Sequence, residues 1–253
     1  MFSKVPLTAL LLIQTVFAHW TFSDFLVNDT WSKKWEYIRE VAPEYLQRME
    51  EDFQPSIVNP QFGEAIYEAN ITCGRSAHLS ASKTKTAAVL AGSKVGFRTW
   101  RDGFYGGNIF HPGPAQIYLT KIPSGKRIDQ VVGDEVSWFK IASLTAKSDT
   151  EWTSYLENEV NFTIPLTTPP GDYLMRIETF WPSLYLDSSQ WYINCAHVNI
   201  VGQGGGQPTG SARFPGTYEV LDSSIWVTDD GIYQPPFKGL SKYVAPGPKV
   251  WTG

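Results

Sequence analysis

The runs "DYLMRIETFW" (residues 172–181) and "QWYINCAHVNIVG" (residues 190–202) decide how this chain folds. Each is rich in Val, Ile, Tyr, Phe and Trp and largely alternates polar with apolar side chains, as a β-strand with one face in a core does. Working outward, "TAAVLAGSKVGFRTW" (86–100), "AQIYLTKI" (115–122), "VSWFKIASL" (136–144) and "VNFTIPL" (160–166) read the same way. Turn residues separate these runs and no helical period intervenes. The expected fold is therefore all-β: an antiparallel β-sandwich of immunoglobulin or fibronectin type, with long loops and little helix. The strand reading begins at Thr86. Helical spacing competes only in "WSKKWEYIREVAPEYLQRMEEDF" (31–53), where Pro43 could open a short helix through Met49, outside the sandwich core.

Composition agrees with a many-turned β protein. Of 253 residues, 42% are hydrophobic and 14% aromatic, enough for a sizeable core, while 21 glycines and 17 prolines punctuate the chain. No linker, repeat or low-complexity run divides it, so one domain over residues 19–253 is expected, with no appended carbohydrate-binding module. The net charge of -4 is mild and no basic patch tracks a phosphate backbone, which argues against nucleic acid. "GQGGGQPTG" (202–210) invites a dinucleotide-loop reading, but the third glycine of that pattern falls on Gln207 and Pro208 follows where a helix should start. A flexible turn is expected there, and the turn-rich tail, residues 211–253, is expected to wrap the sandwich.

The amino terminus carries the next signal. Lys4, the apolar stretch Leu7 to Phe17 and the small side chains Val16 and Ala18 have the order of a secretory leader over residues 1–18, too short to span a bilayer. The ending "PGPKVWTG" lacks the apolar tail of a lipid-anchor signal, so a secreted, extracellular protein with no membrane partner is expected. Cleavage after Ala18 leaves His19 first, with an imidazole and a free α-amine on one residue. The amine has a pKa of about 8 and gives up its proton readily to a metal, copper above all. A histidine in first place also arises by chance. Cys73 and Cys195 are the only cysteines and should pair in an oxidising compartment. The bridge closes a long loop, for which the chain-entropy model assigns roughly 4 to 5 kcal/mol. Asn28, Asn70 and Asn161 open glycosylation sequons, Asn161 within an apolar, strand-like run.

Several chemistries are poorly supported. No H-E-x-x-H or C-x-x-C spacing suits a zinc hydrolase, and no G-x-S-x-G elbow suits a serine hydrolase. Asp102, Asp134, Glu135, Glu157, Glu159 and Glu178 could supply a glycosidase pair, but no motif selects two of them. Four histidines remain: His19, His78, His111 and His197. His111 precedes a proline, which confines its backbone to extended geometry and helps fix where the ring points. His78, in a polar loop, and His197, inside a strand, read as ordinary structural histidines.

Taken together, "HPGPAQIYLTKIP" (111–123), "WFKI" (138–141), "IPLTTPPGDYLMRIE" (164–178), "QWYINCAHVNIVGQGGG" (190–206), "FPGTYEVLD" (214–222) and "YVAPGPKVW" (243–251) are similar to the fungal family AA9 lytic polysaccharide monooxygenases. These are copper enzymes formerly grouped with glycoside hydrolases as family 61. The resemblance covers nearly the whole mature chain in order. It implies one copper per chain, held in a histidine brace by His19 through its amine and ring and by His111. It further implies Tyr192 as the axial tyrosine, Gln190 as the glutamine that contacts the oxygen species, Cys73–Cys195 as the disulfide, and Tyr243 as an aromatic on a flat substrate face. The implied activity is oxidative cleavage of β-1,4-glucan, cellulose or a related hemicellulose, at C1 or C4, with O2 or H2O2 and an external electron donor, by a monomer.

Two positions depart from the family pattern. The run Arg, any residue, Glu, three mostly apolar residues normally leads to a histidine near the oxygen site; here "RIETFWPS" places Ser183 at that point. His197 replaces a common glutamine, a change expected to be neutral. The first departure keeps a second reading open: a non-catalytic copper- or glycan-binding, wall-associated protein that retains the brace. A hydrolytic endoglucanase is a third.

Overall fold

The computed structural model describes residues 19–42, 60–100 and 107–253. The expected leader, residues 1–18, and the expected helix from Pro43 to Met49 lie outside the described residues. In chain order the strands are β1 (Phe22–Val27), β2 (Thr30–Trp31), β3 (Gln61–Phe62), β4 (Ala87–Leu90), β5 (Lys94–Thr99) and β6 (Ala115–Lys121). They continue with β7 (Phe139–Leu144), β8 (Ala146–Ser148), β9 (Glu151–Trp152), β10 (Glu159–Thr163), β11 (Gly171–Trp181) and β12 (Gln190–Val201). Among the described residues, helix is confined to 3-10 turns and two short α-helices, α1 (Asn70–Cys73) and α2 (Asp230–Tyr233).

Two sheets form the sandwich. The first has the order β10-β5-β1-β2 and the second β3-β12-β11-β6-β7, all antiparallel neighbours. The all-β expectation holds, with three differences. The run 86–100 is two strands in different sheets, because Gly92 (φ +85°) lets the chain turn after Leu90. β4 then runs parallel to the end of β12, an exception to the antiparallel rule. Strand β1, central in the first sheet, comes from a stretch ahead of Thr86 where no strand was expected. A two-residue loop joins it to β2, with Asn28 and Asp29 at φ 50° and 57°, the primed hairpin turn that Asn and Asp tolerate.

Strands β11 and β12 pair along their length, from Gly171↔Ile200 to Trp181↔Gln190. Side chains alternate across a strand, so residues 175 and 177 face one way and 174, 176 and 178 the other. The first set joins Phe22, Phe25, Phe97, Val160, Ile117, Tyr192 and Val198 in the core between the sheets. The second set does not meet water. Tyr173 to Phe180 are all buried, because the tail covers the outer face of the sheet with Phe214, Tyr218 and Ile225, beside Ile71 and Ala77. The tail therefore wraps the sandwich as expected. Its coverage turns the polar half of the alternation into a buried network: Arg176 pairs with Glu178, both fully buried, and Glu178 accepts from Gln116 Nε2 (2.8 Å) and from the Tyr218 hydroxyl. The Arg176 guanidinium also donates to the carbonyls of Thr72 (2.8 Å) and Ile71 (2.9 Å).

The Cys73–Cys195 disulfide is present and ties α1 to β12. Residues 37–39 add a strap along β12. Ile38 bridges Ala196, Arg39 N–H donates to the Cys195 carbonyl (2.9 Å), and His197 N–H donates to the Tyr37 carbonyl (2.8 Å).

Candidate metal centre

The site forms where the first described residues meet the shared end of β11 and β12. Thr21 Oγ1 and Phe22 N–H both donate to Asn194 Oδ1 on β12 (3.2 and 2.9 Å), and Trp20 Nε1 donates to Thr179 Oγ1 on β11 (3.2 Å). These bonds lay residues 20–22 from the first sheet onto the second and set His19 at its end. The Trp20 indole stacks on the Tyr192 ring at 3.6 Å and 16°.

His111 arrives from the opposite side, on the loop leading into β6. Gly113 (φ +153°) lies so close to the end of β11 that an added Cβ would sit 1.9 Å from the Phe180 carbonyl oxygen. Only glycine permits that approach, and it presses His111 against the strand end. The His19 and His111 ring centres are then 6.1 Å apart, and each lies about as far from Tyr192, at 6.1 and 6.3 Å. Two imidazoles facing across one ion with metal–nitrogen bonds of about 2 Å have centres about 6 Å apart. The pair has the spacing to share a metal.

Electrostatics point the same way. Burial, with His19 nearby, pushes the His111 imidazole down to about 3, so the ring is neutral at ordinary pH and keeps a lone pair for a ligand. Its Nε2 is buried without a hydrogen-bond partner among the described residues, an arrangement that costs free energy unless something else occupies the atom. Among the described residues no group of three or more His, Cys, Asp or Glu gathers, so the donors here are the two histidines and their non-carboxylate neighbours. Tyr192, 3% exposed, donates its hydroxyl to Gln190 Oε1 at 2.8 Å.

The remaining expected residues divide. His78 is exposed on a 3-10 turn, and His197 is buried, with Nε2 accepting from Arg39 Nε at 2.8 Å; neither joins the pair. Ser183 is 2% exposed and its Oγ accepts from the Tyr185 amide (3.0 Å), so it serves the turn after β11. Tyr243 differs from the flat-face expectation. It is 9% exposed, packs edge-on to Trp152 and donates its hydroxyl to the Ser224 carbonyl (2.6 Å). A resemblance fixes a position in sequence, not its exposure, and here the turn Leu240–Lys242 folds the ring inward. Among the described residues the exposed aromatics are instead Tyr185, 66% exposed, Phe62, 48%, Tyr67, 44%, and Trp226, 37%. Of the sequons, Asn28 is exposed at its hairpin tip, Asn70 accepts from the Ser76 amide, and Asn161 packs its Oδ1 against Gly96. Sequence reasoning missed Trp20 and Trp181, both in contact with the site; the only hint was a tryptophan beside each expected site element.

A sandwich that closes two histidines and a tyrosine together at one end of its sheets belongs to the class of β-sandwich proteins with a paired-histidine site. Residues 19–237 match the family described as AA9, Auxiliary Activity family 9 (formerly GH61), and the chain belongs to that family. AA9 family lytic polysaccharide monooxygenase U of Thermothielavioides terrestris is 48% identical over 94% of this chain and 93% of its own length. The family's monooxygenase H of Malbranchea cinnamomea is 32% identical over 93% of both chains. Among solved structures, the extended catalytic domain of H. jecorina LPMO9A, also known as EG4, shares the fold with a TM-score of 0.70 at 21% identity, over 93% of this chain and 92% of that one. No helix among the described residues is long and apolar enough to cross a membrane.

Proposed function

We propose that the chain is a secreted, copper-dependent monooxygenase that cleaves β-1,4-glucan, cellulose or a related hemicellulose, at C1 or C4 with an external reductant. The observation that carries this reading is the pairing of His19 with His111, whose buried Nε2 has no hydrogen-bond partner among the described residues, beside Tyr192 and within a chain of this family. After removal of residues 1–18, His19 offers its α-amine and imidazole and His111 a third nitrogen, a donor set that suits Cu(II). Copper, when bound, supplies the one-electron activation of O2 or H2O2 that allows oxidation of a sugar C–H bond.

The chain's own residues do the rest. Stacking on Trp20 fixes the Tyr192 ring, and the bond to Gln190 fixes its hydroxyl. Gln190 also carries an amide nitrogen whose N–H groups can donate toward an oxygen species. The exposed rings of Tyr185 and Phe62 offer apolar faces for sugar rings, a role that the burial of Tyr243 leaves open. Asn28 has the room a glycan needs. The protein acts as a monomer.

The test is copper-loaded mature protein with ascorbate on cellulose, xyloglucan and glucomannan. Oxidised oligosaccharides should be released only when reductant is present; their absence on all three overturns the enzyme reading. A second reading, copper or glycan binding without turnover, draws on Ser183, whose hydroxyl is engaged in a turn and leaves no imidazole at that position. It predicts tight copper binding without oxidised products. Hydrolysis predicts native reducing ends without reductant.

A further inference from the structure

Trp181 is the last residue of β11 and pairs with Gln190. Strand alternation puts it on the same face as Thr179, which holds Trp20, and beside the strand partner that carries Tyr192. Its indole lies flat on the His111 imidazole, with ring centres 4.2 Å apart and planes 7° from parallel. The opposite indole face is covered by Tyr233, at 4.8 Å and 10°. Trp181 Nε1 donates to the Tyr233 carbonyl (3.1 Å), so the indole cannot turn without breaking that bond. Tyr185 meets the Tyr233 ring edge-on at 6.3 Å. Three parallel rings thus run outward from His111, braced at the far end.

A ligating histidine is commonly oriented by a hydrogen bond from its second nitrogen to a carboxylate or carbonyl. Around His111 the close neighbours are instead ring faces and edges: Trp181 stacked, Phe110 edge-on at 5.8 Å, and Trp20 tilted at 5.9 Å. We infer that Trp181 is the positioning residue for His111: clamped by Tyr233, it fixes the plane of the imidazole and covers one of its faces. The inference rests on the reading of His111 as a copper ligand. It assigns the ordering of the site to a stacked column, at a strand end where Ser183 stands in place of an imidazole.

The test compares wild type with Trp181→Ala, Trp181→Phe and Tyr233→Ala in three measurements: calorimetric Cu(II) titration, the Cu(II) electron paramagnetic resonance spectrum, and the crystal structure of the metal-free protein. Trp181→Ala should weaken copper binding about 10 to 100-fold, add a second Cu(II) species to the spectrum and leave the His111 ring in more than one orientation. Trp181→Phe keeps a stacking face and should stay close to wild type, and Tyr233→Ala should fall between. Folded Trp181→Ala with unchanged spectrum and ring orientation overturns the inference, as does Trp181→Phe behaving like Trp181→Ala; if the alanine variant does not fold, the phenylalanine and Tyr233 variants decide. Wild-type protein that binds no copper defeats the functional reading alone, because the ring orientation in metal-free crystals still decides the role of Trp181.

Discussion

At the scale of single residues, the site depends on a glycine that bears no chemistry. Alanine at 113 must displace either its own loop or the Phe180 carbonyl, since the added atom would sit 1.9 Å from that oxygen. Gly113→Ala should lower stability by about 1–3 kcal/mol and weaken copper binding at least tenfold, read by calorimetric titration. His197 makes a different prediction, in acid. Burial and the adjacent Arg39 charge push its imidazole down to about 3, below the value of about 6.5 expected in the unfolded chain. Between those pH values the unfolded state binds the extra proton, so the contribution is complete above about 6.5 and is lost progressively toward 3. His197→Gln keeps an acceptor for Arg39 without a titrating group. Its Tm should fall less between pH 6.5 and 4 than that of wild type, by at least about 2–4 °C, the equivalent of 1 kcal/mol in a domain of this size. Parallel pH profiles of the two proteins would refute the assignment.

At the scale of elements, β11 shows what a strand pattern does and does not reveal. The alternation in residues 172–181 identifies a strand, and the matching run 190–202 its partner. The same alternation reads Arg176 and Glu178 as solvent-facing, whereas both are fully buried. Nothing local announces that, because the cover comes from Phe214 and Tyr218, far along the chain. Glu178→Gln leaves the Arg176 charge without its counter-ion and should cost about 3–5 kcal/mol in chemical unfolding. It lies on the face away from Tyr192, so copper stoichiometry in the folded protein should not change. The residues proposed to hold the metal were legible for a different reason: His19 follows the expected leader, and His111 falls in the "HPGPAQIYLTKIP" run that carries the family resemblance. Trp181 was not, because its importance lies in a ring that only folding brings to 4.2 Å. The burial of Tyr243 was hidden in the same way.

At the scale of the whole molecule, two sheets, a disulfide and a wrapping tail hold the N-terminal segment on the strand ends that carry Tyr192 and Trp181. Lys140 takes part from the far side. Its ammonium donates to the Pro246 carbonyl (2.7 Å), its own carbonyl accepts from Trp251 N–H (2.8 Å), and Trp251 closes edge-on over Phe139. The outer margin of β12 is completed by three separate pieces: β3 at one end, residues 37–39 in the middle and β4 at the other. Each piece is too short to stand alone, and each comes from a different stretch of chain. When the middle piece lifts, a row of unpaired amides and carbonyls becomes a template for a neighbouring molecule. Ile38→Lys, which places a charge where a fully buried side chain sits, should therefore bring the onset of light scattering on heating to a lower temperature, more so at higher protein concentration. A patched margin ties this protein's solubility under heat to the docking of residues 37–39, which the burial of Ile38 and the bonds of Arg39 secure, and clotting on warming is expected to follow its release.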